Sequence, residues 1–272
     1  MSKKVAVVTG ANKGIGLAIV RELCKAKFTG DVILTARNEK LGNEAVKMLK
    51  SEGFEVSYHH LDICDQGSAK QLSNFLQKTY STILATLAIV IAFENDTFGE
   101  QAEVTMRTNF WGTLWVCHAL LPLLRPNARV VNVSSFVSKK ALDTCSPQLQ
   151  AKFRDTELSE EELCLLMGQF VIAAQQGNHQ AQGWPSTAYG TTKIGVTVLS
   201  RIQAHFLTKT RAADGILLNA CCPGWVRTDM AGSKAPKSPE EGAQTPTYLA
   251  LLPDGMKEPH GQFVWDKTVQ EW

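Results

Sequence analysis

The segment STAYGTTK, residues 186–193, places a tyrosine and a lysine one helical turn apart. Residues i and i+4 share a helix face, so Tyr189 and Lys193 project in the same direction if this stretch is helical. A phenol has a reference pKa of about 10. A nearby ammonium favours its ionised form, which makes the pair a candidate for proton exchange. Spacing alone is weak evidence, because an aromatic residue and a solvated amine on an ordinary helix share it. A second feature adds to it: TGANKGIG, residues 9–16, follows a short β-branched run and opens a helical pattern. Gly10, Gly14 and Gly16 let the backbone turn tightly and approach a pyrophosphate, whose charge the free N–H groups of a helix start would hold. Asn12, Lys13 and Ile15 lie in the same turn. Its strand–turn–helix placement separates this motif from a chance glycine pattern.

The elements that must carry these residues alternate along the chain. VAVVT is followed by a helical period over 15–27, DVILTA by 39–52, EVSYHHLD by 66–79 and ILATLAIVIAF by 101–124; ARVVNVSS and ILLNACCP come later. This rhythm predicts βαβ units and a doubly wound, Rossmann-type parallel sheet (α/β class) with helices on both faces and near-continuously apolar strands. Residues 139–184 break the rhythm and read as a helical insertion before the Tyr189 helix, with LSEEELCLLMGQFVIAAQ carrying a serine start and acidic first turn. One domain over 1–272 is expected, and 94–100 and 231–246 read as the sizeable loops.

Cofactor choice follows from the second strand. An acid near its end suits the 2′-hydroxyl of NAD, whereas an arginine accommodates a 2′-phosphate. The strand ends TARN, so Arg37, with Lys13 in the glycine turn, favours NADPH. Asp62, ending the third strand, is read either as an acceptor for the adenine amino group or as a turn residue.

TGANKGIG, NVSS and YGTTK in this order resemble the short-chain dehydrogenase/reductase family over essentially the whole chain. CCPGWVRTDMAG and the long insertion are similar to its NADPH-dependent, carbonyl-reducing, monomeric members. The resemblance implies reduction of aldehydes, ketones and quinones, with steroid and prostaglandin carbonyls as candidates. It implies four catalytic positions, Asn109, Ser135, Tyr189 and Lys193. Tyr189 would protonate the oxygen that gains charge as hydride arrives, and Lys193 would favour the phenolate and hold the ribose. Ser135 would orient the substrate oxygen, and Asn109 would position a water. Cofactor contacts are expected from the glycine turn, Arg37, Asp62, Ile63, Val90, Tyr189, Lys193, Pro223, Gly224, Val226 and Thr228. Ser135, Cys222, Trp225 and Met230 are expected to line the substrate pocket.

One departure from the family pattern stands out. Relatives carry Asn-Asn-Ala-Gly at the end of the fourth strand, where this chain has Leu87, Ala88, Ile89 and Val90. A valine side chain in place of glycine crowds the cofactor, and the lost asparagines remove hydrogen bonds between strands and loops. The alternative reading is therefore a weakly active or inactive NADP-binding variant. Composition excludes other classes. With 28 basic and 26 acidic residues, net charge +2, nothing attracts nucleic acid or anionic lipid. Seven cysteines without CxxC and six histidines without ligand spacing suggest a reducing compartment and no metal site. The N-terminal apolar run is too short for a signal sequence, and Ile83–Phe93, read as a buried strand, falls short of the roughly 20 residues of a membrane span. A cytoplasmic monomer acting on small carbonyl compounds is the expectation.

Overall fold

A computed structural model describes residues 4–80, 82–87 and 97–272. Val90 and most of the altered end of the fourth strand lie outside the described residues. Strands β1 (Lys4–Val8), β2 (Gly30–Ala36), β3 (Val56–His60), β4 (Thr82–Leu87), β5 (Arg129–Val133), β6 (Leu217–Cys222), β7 (Phe263–Trp265) and β8 (Thr268–Gln270) form one sheet in the order β3-β2-β1-β4-β5-β6-β7-β8. All neighbours pair parallel except β7 and β8. The order reverses between β1 and β4, the switch point at which such sheets bind ligands beyond their carboxyl ends.

The strands are apolar on both faces because both are covered. Ala6, Val8, Val32 and Leu34 face one core with Ile19 and Leu23 of α1 (Gly14–Lys25) and Ala45 and Leu49 of α2 (Glu39–Ser51). Val5, Val7 and Ile33 face the opposite core. There they meet Leu72 and Leu76 of α3 (Gln66–Thr79), and Val116 and Leu120 from further along the chain. The helix carrying these last two runs through α4 (Phe98–Thr105), a π-helical stretch (Met106–Trp111) and α5 (Gly112–Leu120).

The interruption before Tyr189 is helical, as its pattern implied: α6 (Val137–Asp143), α7 (Pro147–Arg154) and α8 (Glu160–Gln175) precede α9 (Ala188–Arg211). Ser159 and Glu162 form a reciprocal capping box that starts α8 where the serine and acidic turn suggested. Leu163, Leu166, Met167 and Phe170 pack against Phe110, Trp184, Ile194 and Val198. Glu160 Oε1 lies 2.5 Å from His118 Nε2, and Gln203 Nε2 donates to Glu160 Oε2 at 3.1 Å, so α8 is pinned to both α5 and α9. The expected loop over 231–246 is shorter than read. Residues 239–250 form α10 (Pro239–Ala250), which Ser238 and Glu241 start with another capping box and Pro239 with its pre-set φ; its Gly242 and Pro246 concealed the helix in the sequence. Among the described residues, no helix is long and apolar enough to cross a membrane.

Gly195 lets the insertion close on α9. A Cβ there would lie 2.7 Å from both Met167 Sδ and the fully buried ring of Phe110. Gly195→Val is expected to destabilise by about 1–3 kcal/mol through overpacking. A thermal melt checks this: an unchanged or raised Tm contradicts the close packing of α8, Phe110 and α9.

Candidate active site

Thr187 caps α9, its hydroxyl accepting from Gly190 N at 3.0 Å, and the first turn then presents Tyr189. Lys193, one turn on, is fully buried; its Nζ donates to the carbonyl of Val133 at 2.8 Å and lies 5.7 Å from the centre of the Tyr189 ring. Helical spacing thus brings the pair together, at the carboxyl end of β5. The electrostatics differ from the simple expectation. Burial pushes the Tyr189 phenol above its ordinary value, and the group pulling it back is the hydrogen-bonded Ser135 hydroxyl. Burial also lowers Lys193 to about 7. Desolvation therefore acts on both partners against their charged forms.

Ser135 is 7% exposed, just beyond β5, and its Oγ accepts from Val137 N at 3.2 Å. That bond occupies an acceptor site and leaves the hydroxyl proton for the phenol. Asn109 is fully buried inside the π-helical stretch, a feature the sequence pattern did not reveal. Its carbonyl accepts from Thr113 Oγ1 at 2.6 Å, and its Nδ2 donates to Thr192 Oγ1 at 3.3 Å. Thr192 Oγ1 in turn donates to the Tyr189 carbonyl at 2.8 Å, so Asn109 and Tyr189 are tied together through Thr192. Widened helical turns of this kind often sit at functional sites.

The glycine turn follows β1. Gly10 and Gly14 adopt φ of +59° and +56°, which favours glycine. A Cβ on Gly16 would fall 2.7 Å from the Gly10 carbonyl oxygen, so the helix packs directly on the turn. Lys13 is the N-cap of α1 in extended conformation, without a side-chain cap or an acid in the first turn. The cradle is therefore shaped and charged for an anion, and the residues fit the pyrophosphate of a dinucleotide. Arg37 is exposed just past β2. Lys13 Nζ pairs with Asp229 Oδ2 at 2.5 Å, an exposed ion pair that the sequence did not suggest. Asp62 Oδ1 accepts from Cys64 N at 2.9 Å, which is the turn role left open for it. Ile63 is partly buried, and a Cβ on Gly112 would lie 3.1 Å from its carbonyl. The hydroxyl of Thr9, at the base of the turn, is buried with no hydrogen-bond partner among the described residues.

Beyond β6 the chain crosses back toward the glycine turn. Pro223 and Val226 are buried, Gly224 has φ of +87°, and Thr228 lies 3.4 Å from a Cβ placed on Gly14. Val226 bridges Lys237, whose Nζ pairs with Asp266 Oδ1 at 2.7 Å. Trp225 is 54% exposed, so it is not a core residue, and Met230 is partly buried. Cys222 is fully buried; its sulfur accepts from Gly224 N at 3.3 Å, and burial raises its thiol, so it is held as a packing group. Val8 of β1 pairs with Thr86, and the next β4 residue, Leu87, pairs with Asn132, which precedes Val133. The glycine turn and the Lys193 anchor consequently stand at one level of the sheet, about 10 Å apart across β4 at ordinary strand spacing.

Comparison with known proteins gives a consistent result. The short chain dehydrogenase family model matches residues 4–154. Carbonyl reductase (NADPH) 1 of Rattus norvegicus is 58% identical over 274 residues, covering 99% of this chain and 99% of its own. The protein of that name from Homo sapiens is 58% identical over 272 residues, covering 98% of each. Among solved structures, salutaridine reductase from Papaver somniferum is similar with a TM-score of 0.84 at 27% identity, covering 97% of this chain and 100% of that one. Menthone neomenthol reductase from Mentha piperita gives 0.78 at 27% identity, covering 97% and 99%. A glycine cradle level with Tyr189 and the buried Lys193, on a sheet of this order, accompanies those likenesses: the chain belongs to the short-chain dehydrogenase family.

Proposed function

We propose that this protein is an NADPH-dependent carbonyl reductase that converts aldehydes, ketones and quinones to alcohols, with residues 1–272 acting as one domain. The observation that carries the reading is the Tyr189 phenol, hydrogen-bonded to Ser135 and backed by buried Lys193, level with an anion-shaped glycine turn across the switch point. The relatives named carbonyl reductase (NADPH) 1, which match nearly the whole chain, support it over a silent binding variant.

In this reading the bound cofactor supplies hydride to the carbonyl carbon. Ser135 orients the carbonyl oxygen, and Tyr189 gives that oxygen its phenolic proton. Charge then develops on the phenol inside a site where burial disfavours it, so stabilising groups matter most at that moment. Ser135 opposes the burial effect directly, and protonated Lys193 adds positive charge on the neighbouring turn. Lys193 also holds the nicotinamide ribose, and Asn109 positions a water near it. Gly10, Asn12, Lys13, Gly14, Ile15 and Gly16 cradle the pyrophosphate. Arg37 and Lys13 favour the 2′-phosphate, Lys13 by leaving its exposed partner Asp229, a pair that solvent screens. Asp62 and Ile63 would border the adenosine, and Pro223, Gly224, Val226 and Thr228 would border the nicotinamide. Exposed Trp225 and flexible Met230 form an apolar wall suited to bulky planar or aliphatic carbonyls, with Cys222 behind it. We infer a monomer acting in the cytoplasm, a reading supported by α8, which covers α4 and α9 from within the chain.

Three measurements test this. Tyr189→Phe is expected to lower turnover of menadione by about 10²–10⁴-fold, the usual contribution of a general acid, while fluorescence titration shows NADPH binding retained; sustained turnover removes Tyr189 from its role. Arg37→Asp is expected to weaken NADPH by about tenfold or more and to leave NADH nearly unaffected, and equal losses for both would deny the 2′-phosphate contact.

The third concerns pH. Between about 7 and the ordinary lysine value of 10.5, Lys193 carries fewer protons folded than unfolded. Stability from this group therefore rises with pH across that window, and the cost of burying its charge is fully present below about 7. Urea unfolding at pH 7 and pH 9 should show wild type gaining on Lys193→Met; a pH-independent difference contradicts the buried-amine account.

A further inference from the structure

A run of hydrogen bonds outside the four catalytic positions connects Trp272 to the backbone of Lys193. Trp272 Nε1 donates to Ser138 Oγ at 2.7 Å. Thr197 Oγ1 lies 3.5 Å from Ser138 Oγ and 2.6 Å from Ser134 Oγ. The Ser134 and Thr197 hydroxyls reach the Lys193 carbonyl at 3.1 and 3.0 Å. Ser134, Ser138 and Thr197 are all nearly excluded from solvent. Two of these groups bracket the catalytic serine: Ser134 precedes Ser135, and Ser138 N donates to the Ser135 carbonyl at 3.0 Å. The turn that carries Ser135 is thus held on one side by Trp272 and on the other by the turn of α9 that carries Lys193.

An indole N–H can only donate and a carbonyl can only accept, so the run has a fixed donor end and a fixed acceptor end. The Ser138–Thr197 link is the longest of the set, and the indole bond is what holds Ser138 in place beside it. The Trp272 ring packs against the cluster of Ala220, Cys222 and Phe263, and Lys139 Nζ donates to the Glu271 carbonyl at 3.0 Å, which keeps the indole seated.

We propose that Trp272 is a positioning residue for carbonyl reduction: its indole N–H holds Ser138 and thereby sets Ser135 against Tyr189. This rests on the reading of the site as a carbonyl reductase. Trp272 touches no reacting atom, and its effect is exerted on geometry, where small displacements have large kinetic effects. Ser138 would lose its donor in Trp272→Phe, which keeps an aromatic ring without an N–H; Trp272→His restores a ring N–H. For Trp272→Phe the expected result is a kcat lower by about tenfold with menadione, an unchanged Kd for NADPH, and faster backbone hydrogen exchange over residues 134–143. Trp272→His is expected to recover part of both kcat and exchange protection. A kcat near wild type, equal losses in the two variants, or a parallel loss of NADPH binding overturns the proposal. Hydrogen exchange reads the strap independently of turnover. If wild type reduces no carbonyl while the exchange contrast holds, the reductase reading has failed and with it the catalytic half of the proposal; if wild type is active and the contrast is absent, the positioning role alone has failed.

Discussion

Everything at the site depends on the fully buried amine of Lys193 and the carbonyl of Val133 that receives its hydrogen bond. A lysine taken out of water is costly unless something fixes and compensates it. Here the compensation is the end of a central strand, so the amine is anchored to the most rigid part of the molecule. Tyr189, one turn earlier, inherits that rigidity, and the hydroxyls of Ser134 and Thr197 hold the same turn by its backbone. The sheet supplies the rest: because β1, β4 and β5 pair side by side in parallel, the glycine turn and the Lys193 anchor stand on one rim.

Burial serves two opposed purposes in this arrangement. It excludes water, which strengthens every fixed dipole nearby, and it penalises the charged forms of both Tyr189 and Lys193. A phenol raised above its ordinary value keeps its proton until a receiving oxygen becomes basic. Burial lowers the Lys193 amine from its ordinary value to about 7, so its charge is held less firmly than in water. The chemistry is thereby confined to the moment at which substrate and cofactor complete the site.

Much of this was legible in the sequence because the responsible periods are local. The glycine turn, the i and i+4 pair and the apolar strands are written in short windows, and the serine with its acidic turn marked α8. What escaped notice depends on chain segments meeting across the fold. Asp229 pairs with a lysine 216 positions away, and Trp272 meets Ser138 across 134. No spacing rule records such encounters. The π-helical stretch around Asn109 carries no composition signature in the sequence. α10 was concealed by its own Gly242 and Pro246, which tertiary packing overrides. The balance on Tyr189 was also misjudged, because the sequence shows a cation nearby but not how much water both groups have lost.

The insertion has a further consequence. Its helix α8 covers α4 and α9 from within the chain, and a tethered cover has an effective concentration set by the chain rather than by how much protein is present. Support for the catalytic turn then has no dissociation constant. That support persists at any dilution.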